Sequence, residues 1–224
     1  MFQETLPSGR GNLLRKNRDK TLKIFLDEKD KNNVFLINGT SFITENVSDA
    51  DLSIEPKTCY MVINNGDTKI ELNYNRDISS HEVLYDPYKF EHSEKSNFNP
   101  EEFRKHHSVP ERYIDILSKW YSIKFTYPDY NLIFVKPEMG ISIQIHDLRS
   151  EHWEILDGEP IIISGNSVYY HVKKGTEFHN EINMYHSVIN PNKDPNDFVI
   201  IKEYWEGKFD EEDISRIFNP NNSR

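Results

Sequence analysis

The chain has 224 residues, is 36% hydrophobic and 12% aromatic, and carries a formal net charge of -10. That length allows one large domain or two small ones around a real core, while so acidic a chain is a poor partner for nucleic acid or an anionic membrane over any broad face. A single cysteine, Cys59, excludes an internal disulfide, and no window approaches the roughly 20 apolar residues of a membrane span or the apolar core of a signal peptide, so a soluble, cytoplasmic protein is expected.

In chain order, TLKIFL, NVFLI, TSFIT, TCYMVI and TKIEL read as short strands, rich in β-branched and aromatic residues and punctuated by Asn, Asp and Gly. The polar stretch from about 87 to 120 breaks this pattern and is expected to be a partly helical connector. SNFNPEEF offers an N-cap and a first-turn proline, and Tyr113, Ile116, Leu117 and Trp120 have helical spacing. Strands resume with YSIKFTY, NLIFVKP, GISIQIH, EHWEIL, EPIIIS, SVYYHV, YHSVIN and FVIIKEYW, and the tail is expected to make a helical turn and then a loose end. So many short strands predict an all-β sandwich or barrel. The two halves also look alike: NNVFLINGTSFI matches EHWEILDGEPII, with Gly39 opposite Gly158.

The chemistry concentrates in GISIQIHDLRSEHWEILDG. Side chains alternate faces along a strand, so Gln144 and His146 point the same way. With DLRS as a turn, Glu151 would start the partner strand beside His146, its face shared by Trp153 and Ile155. Imidazole and carboxylate at one end of a hairpin make half a site for a borderline divalent metal. The plain alternative is a solvent face of Ser142, Gln144 and His146 over a core face of Ile141, Ile143 and Ile145.

A second segment, GTEFHNEINMYHSVIN, places Gly175, Glu181, Asn183, His186 and Asn190 at the spacing of the second cupin motif, with Glu181 and Asn183 where that motif has proline and glycine. Gln144, His146, Glu151 and Gly158 match the first motif, with Gln144 in place of its first histidine. The chain therefore resembles the cupin superfamily, and SIQIHDLRSEHWEILDG is similar to the segment S-L-Q-x-H-x-x-R-x-E-H-W of type II mannose-6-phosphate isomerases. FVKPEMGISIQ, YHSVINPN and FVIIKEYWEGKFDEEDISRI extend the resemblance over about residues 118 to 217. It departs at Asp147, Leu148, Glu181, Trp205 and the final FNPNNSR.

The resemblance implies a cupin double-stranded β-helix in two halves: a degenerate, metal-free cupin-like domain at 1–86, the connector at 87–120 and a metal-binding cupin at 121–224. In the first half the template places Phe25, Asp27, Asn32 and Lys69 at the ligand positions, and none of these makes a metal site. In the second half the implied ligands are Gln144, His146, Glu151 and His186, holding one divalent ion: zinc first, with iron, manganese, cobalt and nickel as alternatives.

The implied activity is aldose–ketose exchange of the mannose-6-phosphate/fructose-6-phosphate type through an enediolate. Arg149 and Lys136 are candidates for the phosphate, the guanidinium because it donates two parallel hydrogen bonds, and Glu203 is the candidate base. The expected partner is a small sugar phosphate or nucleotide sugar, with no nucleic acid and no membrane, and a homodimer is compatible. Two rival readings are a non-catalytic sugar or nucleotide-sugar binding cupin, and a non-haem iron dioxygenase, because two histidines and a carboxylate also form its facial triad.

Overall fold

Two-residue alternation builds most of this protein. Along Ile70–Tyr74 the side chains alternate buried and half-buried, and Arg149–Asp157 buries Glu151, Trp153 and Ile155 on one face while His152, Glu154 and Leu156 are less covered. The structure is a computed structural model and describes residues 2–45, 47, 52–208 and 210–221. The chain divides into two compact units: Met1–Tyr88 with Gly165–Val168, and Lys89–Ser164 with Tyr169–Arg224.

The first unit contains β1 (Phe2–Leu6), β2 (Leu14–Lys16), β3 (Leu22–Phe25), β4 (Val34–Asn38), β5 (Ser41–Ile43), β6 (Ser53–Ile54), β7 (Cys59–Asn64), β8 (Ile70–Tyr74) and β9 (Glu82–Tyr85). One sheet runs β1-β8-β3-β6 and the other β5-β4-β7-β2-β9. Leu22, Leu36, Ile54, Tyr60 and Leu72 pack into its core.

After α1 (Pro100–His106) come β10 (Asp115–Ser118), β11 (Ser122–Thr126), β12 (Asn131–Val135), β13 (Ile143–Ile145), β14 (Arg149–Asp157), β15 (Ile161–Ser164), β16 (Ser167–Tyr169), β17 (Glu177–Asn180), β18 (His186–Ile189), β19 (Val199–Gly207) and β20 (Ser215–Phe218). In the second unit a six-stranded sheet runs β10-β11-β12-β19-β14-β17, and β20-β13-β18-β15 forms another. Trp153, Ile155, Ile162, Val188, Val199 and Ile201 make the core of this unit. The opposite face of the six-stranded sheet, with Ile123, Phe125, Leu132 and Phe134, is covered by Phe103 of α1.

The two units repeat one plan. β1-β8-β3-β6 matches β12-β19-β14-β17 strand for strand, and β4-β7-β2-β9 matches β15-β18-β13-β20, all in the same chain order. Each unit even has a register shift at the corresponding place, between Leu14 and Arg15 and between Ile143 and Gln144. Asn64, which ends β7, and Asn190, which follows β18, also play one role. Each uses its side-chain amide to bond the carbonyl ending the adjacent first strand, Leu6 or Val135.

The helical spacing of Tyr113, Ile116, Leu117 and Trp120 belongs to no helix. Ile116 and Leu117 lie on β10, paired with β11, and the helix sits earlier, where Asn99 accepts from the Glu101 and Glu102 N–H groups and Pro100 opens the first turn. Within the tail Ser215–Phe218 is a strand, β20, paired with β13, and the last three residues of the expected loose end lie outside the described residues. The internal repeat is shifted too. Strand order sets β4 and its turn glycine Gly39 against β15 and Gly165, not Gly158, and all three glycines are left-handed. A turn glycine followed by a β-branched run is common to both registers, which is why the sequence alone selects the wrong one.

Candidate metal centre

Gln144 and His146 do not meet Glu151 across a hairpin, as the sequence suggests. β13 pairs with β18 and β20, whereas β14 lies in the six-stranded sheet between β17 and β19. Asp147 and Leu148 carry the chain from one sheet to the other, and Arg149 and Ser150 already belong to β14. The expected side-chain parity survives, so Gln144, His146, Glu151 and His186 still converge, with Gln144 directly opposite His186 in register.

His146 Nε2 lies 3.0 Å from Glu151 Oε1, and His186 Nε2 lies 3.5 Å from Glu151 Oε2. All three residues are at most 2% exposed, and their ligand atoms fall within 4.8 Å of one another. The imidazoles are pinned from behind: His186 Nδ1 faces the Met184 carbonyl at 2.9 Å, and His146 Nδ1 faces the Asp213 carbonyl. A carbonyl oxygen can only accept, so each Nδ1 carries a proton and each Nε2 turns its metal-binding atom to the centre. Trp153 Nε1 donates to Glu151 Oε2 at 3.1 Å and fixes the carboxylate. This donor set of two imidazole Nε2 atoms and a carboxylate fits a divalent ion of the borderline class. Gln144 turns its Nε2 toward His186 Nε2 at 3.4 Å, while its Oε1 accepts from Ser142 Oγ. Its amide must turn over to offer an oxygen.

The electrostatics agree with this frame. Burial opposes the charge on Glu151, but hydrogen bonding to His146 and the surrounding positive groups hold its carboxyl well below the usual range. Burial pushes the His186 imidazole down, toward the neutral form that ligates. His146 is raised despite burial because it hydrogen-bonds Glu151.

Two backbone positions make the approach possible. Asn183 is left-handed, at φ 61°, where the cupin motif has glycine, and its N–H donates to the His146 carbonyl at 2.8 Å. Asparagine tolerates that conformation better than other side-chain-bearing residues, so the departure keeps the geometry. Gly207 sits at φ 105° opposite Arg149, and a Cβ there would come within 2.4 Å of the Leu148 carbonyl oxygen.

The other expected residues scatter. Arg149 is buried, donating from Nε to Glu151 Oε1 at 3.0 Å and from Nη1 to the Asp210 carbonyl at 2.8 Å, with Nη2 3.1 Å from His146 Nε2. It braces the cluster from inside. Lys136 is exposed, its ammonium 5.8 Å from the Phe98 ring centroid, and it does not line the cavity. Glu203 does line it, cross-strand from Trp153, and accepts from Asn131 Nδ2 at 2.7 Å. Burial and then the negative Glu151 raise its carboxyl to about 7.

The cavity has a volume of about 100 Å³, and Gln144, Arg149, Glu151, Glu203, Lys119, Lys124, Glu211 and Arg216 are among its lining. The sequence reading missed Asp213, whose carboxylate takes the Asp147 and Leu148 N–H groups, and it missed Arg216, opposite Gln144 on β20. The signal for both lay in EEDISRI, once that stretch is read as a strand.

Register also identifies what replaces these residues in the first unit. Arg15 pairs with Tyr60 as Gln144 pairs with His186, so Arg15, Asn17, Leu22 and Tyr60 occupy the four ligand places, instead of Phe25, Asp27, Asn32 and Lys69. The sequence template slipped because it matched one motif to a stretch that folds as β7, a turn and β8.

Curled antiparallel sheets in this order, with ligand-type side chains converging from two sheets, define an all-β cupin. The chain belongs to the mannose-6-phosphate isomerase C-terminal family, whose model matches residues 105–219. No curated protein matches the chain. Similar solved structures include a sugar phosphate isomerase of the cupin superfamily from Silicibacter pomeroyi (10% identity, 39% of this chain and 60% of that one, TM-score 0.34). A cupin-2 domain from Rhodospirillum rubrum (15%, 42% and 68%, 0.33) is another. The capsular polysaccharide assembling protein CapF from Staphylococcus aureus is a third (16%, 50% and 33%, 0.36). The matched part of this chain thus spans 60% of the Silicibacter chain and a third of CapF. Among the described residues no helix is long and apolar enough to cross a membrane.

Proposed function

We propose that the second unit is a metal-dependent sugar-phosphate isomerase, exchanging an aldose phosphate and a ketose phosphate of the mannose-6-phosphate/fructose-6-phosphate type. The observation that carries this reading is the buried His146–Glu151–His186 cluster, whose Glu151 lines the same cavity as a second, independently held carboxyl, Glu203. His146, Glu151 and His186 would hold the ion, with Gln144 joining them once its amide turns over. A bound divalent ion supplies Lewis-acid polarisation of the substrate's carbonyl and hydroxyl oxygens.

The chain's own residues move the proton. Glu203, with a carboxyl poised near neutrality, suits removal of the C2 proton of the aldose and its return to C1, while the O2 hydroxyl proton passes to O1. Asn131 holds the Glu203 carboxyl in place, and Arg149 keeps Glu151 and His146 aligned. Lys136 has no part in this scheme.

The test is metal content by elemental mass spectrometry, read beside deuterium exchange into mannose-6-phosphate or fructose-6-phosphate by proton NMR. About one equivalent of metal, lost in His186→Ala, together with exchange that Glu203→Gln abolishes, supports the reading. Metal without exchange leaves a sugar-binding cupin. Bound iron with oxygen consumption marks an oxygenase.

A further inference from the structure

Four cationic side chains line the cavity: Lys119, Lys124, Arg149 and Arg216. Arg149 is committed to Glu151 and to the segment at Asp210 and Asp213, deep in the wall. The other three come from different places. Lys124 lies on β11, with the same inward parity as Ser122, and is paired across the sheet with Leu117 and Ile133. Lys119 closes the β10–β11 turn, where its N–H donates to the Ser122 carbonyl. Arg216 reaches in from β20, and its strand partner is Gln144 of the metal cluster. Cross-strand partners stand about 5 Å apart at Cβ, so Arg216 flanks the cluster.

Holding three cations around one small cavity is unfavourable unless something negative joins them. Burial first, then Arg216 and Lys124, depress the Lys119 ammonium. Lys124 is ion-paired with Glu211, an exposed residue of the cavity rim. Lys119 and Arg216 form no ion pair among the described residues. Three positive charges therefore share one rim carboxylate, Glu211, which pairs with Lys124 and also attracts the Lys119 ammonium, while Arg216 stands exposed opposite Gln144.

We infer that Lys119, Lys124 and Arg216 form the phosphate-binding end of the cavity, taking the dianion of a phosphomonoester, with Glu211 standing in on Lys124 until the ligand arrives. The inference rests on the sugar-phosphate reading above for its ligand, but it moves the anion site from Arg149 and Lys136 to the strand β20 and the β10–β11 turn. A phosphate there would share the cavity with Glu151 and Glu203.

The experiment is calorimetric titration of inorganic phosphate into the full-length chain, both chelator-treated and metal-loaded, with metal content measured on the same samples. Binding to the chelator-treated protein is expected, because these three cations need no metal. Arg216→Gln and Lys119→Gln should each weaken it about 10-fold or more, with metal content unchanged and thermal melts like the parent. Glu211→Gln should tighten it several-fold, a gain that misfolding cannot imitate. Equal phosphate affinity in Arg216→Gln, Lys119→Gln and the parent overturns the inference, as does loss of binding in Arg149→Gln alone. Phosphate binding without any metal uptake would sink the isomerase reading and leave this site standing. Metal uptake with sugar exchange, but no effect of these variants on phosphate, would do the reverse.

Discussion

Burial and the negative charge of Glu151 place the Glu203 carboxyl at about 7 in the folded metal-free protein, against ~4.3 in an unfolded chain. The unfolded chain therefore releases this proton first. Stability falls as pH climbs between those values and flattens above them, the opposite slope to that of a carboxylate held low by a salt bridge. Glu203→Gln should remove that loss. We expect the variant to exceed the parent in urea unfolding at pH 8 by on the order of 3 kcal/mol and to match it near pH 4; equal midpoints at pH 8 would place Glu203 in a more solvated setting. At the same scale, His186→Ala should lower metal affinity by more than the roughly 10- to 100-fold seen when a supporting partner of a ligand is lost, measured by competition with a chromophoric chelator. His152→Ala should leave affinity within about twofold, because that ring faces away, 3.4 Å from Glu177 on the less buried side of β14.

Strands and turns hold the cluster as much as its ligands do. Gly207→Ala should cost about 2–4 kcal/mol, since the new Cβ meets the Leu148 carbonyl oxygen and the backbone is left-handed there. Asn183→Gly should be neutral or slightly stabilising to the fold, whereas Asn183→Val should cost about 1–3 kcal/mol; thermal melts at matched metal loading separate the two. Asp213→Ala tests the tail directly, by removing a carboxylate that accepts the Asp147 and Leu148 N–H groups while leaving every ligand in place. Metal affinity is expected to fall about 10-fold or more. The sequence revealed the β13 and β14 side-chain parities, because alternation is a local property. It could not reveal that Asp147 and Leu148 pass between sheets, because partner choice is made by distant strands: β18 and β20 for β13, β17 and β19 for β14. Ile116 and Leu117 misled for a related reason. Their spacing satisfies a helix, yet β11 offered a complete ladder of hydrogen bonds next door.

At the scale of the whole chain, one strand plan is written twice with different side chains. In the first unit Leu22 and Tyr60 fill ligand places with core-forming groups, and Tyr60 bonds His81 at 2.9 Å instead of facing a carboxylate. The chain should therefore bind about one metal ion, not two, and a Tyr60→His change alone should not add a second, because Arg15 and Leu22 would remain. Inductively coupled plasma analysis of parent and variant settles this by stoichiometry. That two similar halves exist was visible in the repeated glycine turns and in the shared VIN of TCYMVIN and YHSVIN. Their alignment was not, because sequence likeness is spread thinly over β-branched residues that any strand would use. His146 and His186 were legible from spacing, whereas Arg216 and Asp213 were hidden in a tail that looks unstructured until β13 provides its partner.

That tail carries a consequence in time. The proton that fixes the His146 ring is matched by the carbonyl of Asp213, and β13 is flanked on one side by β20. A nascent chain that stops short of Asp213 has Gln144, His146, Glu151 and His186 but lacks the group that orients one of the two rings. Loading with metal should thus wait until β20 has left the ribosome and docked. Chains stalled or clipped before β20 would then emerge empty, and the ion would act as a mark of a second unit that has closed.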